Sequence, residues 1–300
     1  MNIIMEYGGD PTQLSQDTWE YAFMGNDIDD RGHIAAYFIQ SKSNVLKKIV
    51  YSSLDTKINV GNEEIWADDI QSYLVNMGIN SSSHVVIEST TIGFAELLLL
   101  IQSLNDIGCK AFDVLYLEPM HYAKRSIEFI ERHSFNLSTE VEGFKAIPGH
   151  ALAFDYRDKV AVLCGYESDR LGRAFEELDL LGKNCQLFFG MPPYTVGWDK
   201  NTYTNYLPLI ENHNISKEFY YTGASNPLAV YEHLEKIYLG LDHNQKLFIM
   251  PMGPKPMSFG ACIFKVSKNV DNLSIIYDHP VKKKNRSTQI SLWNLYRVQL

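Results

Sequence analysis

The chain has 300 residues, 45% of them apolar and 21% charged, and a net charge of -9. That length allows two domains of ordinary size, and that balance excludes a disordered chain. The acidic charge argues against general nucleic-acid binding, which needs a basic stripe, and no apolar run approaches the ~20 residues of a membrane span. Taken in order, β-branched and aromatic runs predict strands over 19–24, 46–51, 84–88, 112–117, 160–164, 186–189, 218–221, 246–250 and 273–277. Most are continuously apolar, as strands buried on both faces of a parallel sheet are. Helical periodicity falls between them, over 30–40, 65–77, 94–105, 170–181, 203–211, 227–239 and 256–267. Pro227 suits a first helical turn, with Ser225 or Asn226 as cap. Regular alternation of this kind predicts an α/β fold with two Rossmann-like, mostly parallel-sheet halves. The boundary is expected in the Gly- and Pro-containing stretch 140–159, giving an N-terminal domain over 1–148 and a C-terminal one over 149–300. Within it, 144–156 could form an antiparallel hairpin or an edge strand.

One pattern occurs twice. VVIESTTIGFAELLLLIQSLNDIGCKAFDVLYLEPMHY begins at Val85, and LFIMPMGPKPMSFGACIFKVSKNVDNLSIIYDHPVKK begins at Leu247. Each reads strand, turn, helix and strand, closed by Tyr-x-x-Pro at Tyr116 and Tyr277. Upstream of each, a strand ends in glycine (Gly25, Gly165) and Asp-Arg opens the next helix (Asp30-Arg31, Asp169-Arg170). The spacing between the copies grows along the chain, which an insertion between Tyr194 and Tyr231 would absorb. The alternatives are an internal duplication and the general likeness of all βαβ units.

Ligands of open α/β sheets bind beyond the carboxyl ends of the strands, where helix N-termini suit phosphate. Gly253-Pro254-Lys255-Pro256-Met257 follows a strand and opens a helix, making Lys255 a candidate anion contact or the solvent end of a rigid turn. In the first half the equivalent turn is Glu88-Ser89-Thr90-Thr91. Ser89, Thr90 and Thr91 either cap the helix or hold phosphate or ribose, and Glu88 could hold a ribose hydroxyl or act as a base. Glu167 is a second candidate acid/base. Arg170 and Arg173 lie one turn apart and could fork onto one phosphate, or Arg173 could pair with Glu176 or Glu177. Tyr194 and Trp198 flank a proline-stiffened loop and could stack on a base or serve packing. Glu118 and Asp278, at the ends of the matched strands, orient a hydroxyl or simply terminate the sheet.

Gly253 to Met257 resembles the Gly-Thr-Lys-Pro-Met signature of CARF domains, the CRISPR-associated Rossmann-fold sensors. Pro254 stands where that family has threonine, which removes a hydroxyl and a backbone donor. The resemblance implies cyclic oligoadenylate binding at strand ends, commonly by a dimer, and a role in antiviral defence.

The four cysteines form no Cys-x-x-Cys pair and read as small buried hydrophobes of a reducing compartment. No metal-ligand spacing and no cofactor fingerprint is present, and the first fifteen residues lack a signal-peptide pattern, so a cytoplasmic protein without a cofactor is expected. Three functions follow: a nucleotide- or oligonucleotide-binding sensor module, a nucleotide- or sugar-processing hydrolase using Glu88 or Glu167, and a scaffold subunit of a larger complex. The expected partners are a nucleotide-type ligand and either a second protein or a second copy of the chain, with no membrane.

Overall fold

Runs of fully buried apolar residues form the centres of two separate sheets. The computed structural model describes residues 1–10, 14, 18–124, 135–216 and 218–300. They divide into two compact units, Met1–His121 with Lys284–Leu300, and Tyr122–Lys283.

Unit 1 begins with β1 (Asn2–Gly8), β2 (Trp19–Met24), α1 (Asp30–Lys42), β3 (Ser43–Ser52), β4 (Lys57–Val60) and β5 (Glu63–Trp66). It continues with α2 (Ile70–Asn76), β6 (Val85–Glu88), α3 (Phe94–Ile107) and β7 (Ala111–Tyr122). Unit 2 carries β8 (Ser138–Val141), β9 (Lys159–Leu163), α4 (Asp169–Glu177), β10 (Cys185–Gly190), α5 (Trp198–Asn212) and β11 (Tyr220–Thr222). Then come α6 (Pro227–Leu239), β12 (Leu247–Pro251), α7 (Lys255–Lys268), β13 (Leu273–Ile275) and β14 (Pro280–Lys282). The chain returns to unit 1 with β15 (Ser287–Gln299).

Unit 1 holds one sheet in the order β1-β15-β7-β6-β2-β3-β4-β5. Its centre, β7-β6-β2-β3, is parallel, and β1 and the β4–β5 hairpin add antiparallel flanks. Unit 2 holds an all-parallel sheet, β11-β10-β9-β12-β13, and a small antiparallel pair, β14 with β8. Numbered along the chain, the unit 2 strands run 3-2-1-4-5, a doubly wound order whose direction reverses between β9 and β12. In unit 1 the parallel strands β3-β2-β6-β7 run 2-1-3-4 and reverse between β2 and β6. Without β11, the strands of unit 2 have this same order, and β11 lies inside the stretch 194–231.

Local chemistry accounts for the ends of several elements. Asp29 caps α1 by accepting from the Gly32 amide, and Asn226 caps α6 by accepting from Ala229, one residue before the expected proline. α3 stops at Gly108, whose φ of +87° is a left-handed closure that favours glycine. The cores are built from the buried strands. Val160, Val162, Leu187, Phe248 and Met250 pack with Leu171 of α4 and Tyr206 of α5, while Trp19, Ala22, Val86 and Leu115 pack with Ile39 of α1.

The helix expected over 65–77 is shorter than predicted. Glu63 to Trp66 pair antiparallel with β4 across a turn at Gly61 (φ +63°), and only Ile70–Asn76 is α-helical. Cross-strand contact of Ile58 with Ile65 outweighs the helical spacing. The expected hairpin or edge strand over 144–156 is irregular chain. It still covers the β13 side of the sheet, through Lys145 N to Tyr277 O and Ile275 N to His150 O. The unit boundaries also differ from the expected 1–148 and 149–300. β15 pairs with β1 and lies beside β7, which draws 284–300 into unit 1, and residues from Tyr122 onward group with unit 2. Among the described residues no helix is long and apolar enough to cross a membrane.

Candidate functional site

At the reversal point of unit 2, the loop after β9 lies directly against the loop after β12. A Cβ added to Gly165 would sit 2.0 Å from the carbonyl oxygen of Met252, so only glycine fits there. The Gly165 amide donates to the Tyr206 hydroxyl at 3.2 Å. Burial pushes the Tyr206 phenol well above its ordinary pKa, so it remains neutral.

Arg170, in the first turn of α4, fastens this corner. Its Nε donates to Asp278 Oδ2 at 2.7 Å, its Nη2 donates to Asp278 Oδ1, and its Nη1 lies 3.4 Å from Met252 O. Burial works against the charge, but the Asp278 carboxylate outweighs it and holds the guanidinium pKa above its usual value. Arg170 is therefore engaged by the protein, and it lines the same pocket as Arg173. Asp278 is the partner of a buried guanidinium rather than a sheet terminator.

Glu167 is also engaged. Its Oε1 accepts from the Leu137 and Ser138 amides, both at 2.9 Å, and its Oε2 accepts from Ser138 Oγ at 2.8 Å. This carboxylate ties the β9–α4 loop to the start of β8. Between them lies a pocket of about 380 Å³. Ser168, Arg173 and Asn205 line it, and none of these three side chains has a protein hydrogen-bond or ion-pair partner among the described residues. Ser168 stands at the α4 N-cap without making a side-chain cap bond. Arg173 is exposed and pairs with neither Glu176 nor Glu177. The carboxylate residues Glu140 and Asp169 line the same pocket.

One wall is aromatic. Tyr166 and Phe135 line the pocket and pack at 4.9 Å between ring centroids. Behind them Trp198 lies 5.6 Å from Tyr166 and 4.8 Å from Phe135. Trp198 thus supports the wall. Tyr194 is not part of it: its hydroxyl donates to Ala224 O at 3.3 Å in the loop after β11. Lys255 opens α7 and Gly253 packs its backbone near Cys164 O, and neither lines this pocket.

The corresponding corner of unit 1 is closed. Glu88, Ser89, Thr90 and Thr91 are all buried. Glu88 accepts from the Thr90 amide (2.7 Å), the Thr91 amide (3.0 Å) and the Thr91 hydroxyl. Thr91 Oγ1 accepts from Gly25 N, Thr90 Oγ1 accepts from Leu117 N, and Ser89 Oγ donates to Leu115 O. These groups build the turn. A Cβ on Gly25 would sit 2.3 Å from Thr91 O, which matches the Gly165–Met252 contact. Arg31 likewise matches Arg170: it is buried and donates to Leu117 O at 2.6 Å, one residue past Tyr116 as Asp278 is one past Tyr277.

The structure brings together Glu167, Arg170 and Arg173 in one corner and leaves Glu88, Ser89, Thr90 and Thr91 in the other unit. Ser168 and Asn205 were not anticipated. Ser168 directly precedes the Asp-Arg pair that opens α4, and nothing in the α5 pattern distinguishes Asn205 from a surface residue. Among the described residues no group of His, Cys, Asp or Glu side chains is arranged to hold a metal ion. The thiols are poor nucleophiles, since burial pushes all four pKa values up, that of Cys185 to about 12.

The chain matches no known protein-family model, and no curated protein is significantly similar to it.

Proposed function

We propose that unit 2 is a nucleotide-binding module of the sensor type. The observation that carries this reading is the convergence of three unpartnered polar side chains, Ser168, Arg173 and Asn205, in one pocket beside the β9–α4 loop of a doubly wound sheet. Arg173 supplies the positive charge for a phosphate, with the Ser168 hydroxyl and the Asn205 amide as neutral donors beside it. Glu140 and Asp169 suit ribose hydroxyls, and the Tyr166 wall suits a base. A pocket of about 380 Å³ matches a mononucleotide unit better than an extended dinucleotide. The CARF-like segment Gly253 to Met257 lies outside this pocket, so the resemblance adds the oligonucleotide signal and the antiviral role to the proposal but not the placement of the site. The buried, unpaired thiols fit a cytoplasmic protein.

We also infer that the two units arose by duplication. The matching strand order, the paired glycine contacts at Gly25 and Gly165, and the paired arginines Arg31 and Arg170 support it. Binding is favoured over hydrolysis, because Glu88 and Glu167 are engaged by main-chain donors.

A thermal-shift screen of nucleoside monophosphates, diphosphates and cyclic oligonucleotides tests the proposal. A ligand present at one hundred times its Kd adds about 2.7 kcal/mol of stability. A shift with one class supports the module, and no shift with any class, together with a co-purifying protein, replaces it by the scaffold reading.

A further inference from the structure

The free edge of β1 is unusual among the sheet edges of this chain. β1 pairs with β15 on one side only, over seven residues from Asn2 to Gly8. Among the described residues, its outward backbone groups have no partner. Such an edge is a template for another strand, and proteins blunt it with charge, proline, bulges or brevity. The other edges are blunted. β5 has four residues, two of them glutamates; β11 has three; β13 is covered by the segment that includes Lys145 and His150. β1 has a single charge, Glu6, and none of the other devices. It contains no proline, lysine or bulge, and it presents apolar groups to solvent on both faces, with Tyr7 66% and Ile4 54% exposed and Met5 41% exposed.

Its one charge is already neutralised. Glu6 Oε1 accepts from Arg297 Nε of β15 at 2.7 Å. In a chain of net charge -9, this leaves a neutral strip along which two copies can approach without repulsion.

The residue order is self-complementary in one register. Two antiparallel β1 strands related by a twofold axis at Met5 would set Met5 opposite Met5, Ile3 opposite Tyr7 and Ile4 opposite Glu6. Ile3, Met5 and Tyr7 share one face of the strand, so this register joins them into a continuous apolar row of aromatic and β-branched pairs. Moving the axis one residue on would oppose Glu6 with Glu6. We propose that the protein forms a homodimer by antiparallel pairing of β1 with β1 of a second copy, centred on Met5, which joins the two unit 1 sheets into one.

The test uses the full chain. Native mass spectrometry and sedimentation should give a species of two 34.3 kDa chains for the wild type. Met5→Lys opposes two ammonium groups at the axis and should raise the dimer Kd at least tenfold, with a thermal melt confirming that it is folded. A register check is independent of that variant. Met5→Cys should cross-link through a short bis-maleimide, while Tyr7→Cys, about 14 Å from its counterpart along the strand, should not. The four native thiols are buried, which keeps background low. A monomeric wild type, an unchanged dimer in Met5→Lys, or equal cross-linking of the two cysteine variants would each overturn the proposal. A monomeric wild type would reassign the edge to a strand from a different protein.

Discussion

The guanidinium of Arg170 and the carboxylate of Asp278 form a forked pair across unit 2, with Nε 2.7 Å from Oδ2. The pair is shielded, with side-chain exposures of 12% and 1%. Removing one partner strands the other charge away from water. Asp278→Ala should therefore destabilise the protein by about 3–5 kcal/mol. Urea unfolding reads this directly, and a cost below about 1 kcal/mol would class the pair with exposed ion pairs.

The glycine contacts predict a matched pair of effects. Gly165→Ala places a Cβ 2.0 Å from Met252 O, and Gly25→Ala places one 2.3 Å from Thr91 O. In both cases the obstacle is backbone, so a loop must move, at a cost of about 1–3 kcal/mol or more. Thermal melts of the two variants should both fall, and a neutral Gly165→Ala would mean the loops are further apart than described.

Glu88 distinguishes a structural carboxylate from a catalytic one. It is fully buried and accepts from two amides and a hydroxyl in its own turn. Glu88→Gln turns an amide NH2 toward those donors and should cost about 2–3 kcal/mol in denaturant unfolding. An unchanged stability would return Glu88 to the list of candidate acids and bases.

His150 gives the stability of unit 2 a dependence on pH. Burial, with a smaller contribution from Lys265, lowers its pKa from 6.5 to about 4. The unfolded chain then binds the extra proton between those values, so stability is full above pH 6.5 and falls as pH drops toward 4. The loss attributable to this residue is about 3 kcal/mol. His150→Gln should remove that component, so its stability relative to wild type should improve between pH 7 and pH 4.5. A constant difference across that range would contradict the assignment.

Much of the parallel core was legible because β6, β9 and β12 are short, mostly apolar runs, a pattern set by burial on both faces. The paired Asp-Arg motifs correctly marked two helix starts. What they could not reveal was the destination of each side chain. Arg170 and Glu167 look like ligand groups in sequence, but their partners, Asp278 and Ser138, lie 108 and 29 residues away. β15 was missed for a related reason. Its mixed polar and apolar residues become a strand only by lying between β1 and β7, both distant in the chain. Asn205 carries no local signal, since only the fold places it beside Arg173 in the pocket.

The most direct test of the binding module is isothermal titration of AMP, ADP and cyclic oligoadenylate into the wild type, Arg173→Ala and Lys255→Ala. Arg173 makes no bond that the fold requires, so the Arg173→Ala melt without ligand should match wild type within about 0.5 kcal/mol. The account predicts saturable binding of at least one ligand to the wild type, weakened at least tenfold, or about 1.4 kcal/mol, in Arg173→Ala. Equal affinity in Arg173→Ala, or loss of binding in Lys255→Ala alone, would contradict the placement of the site beside α4.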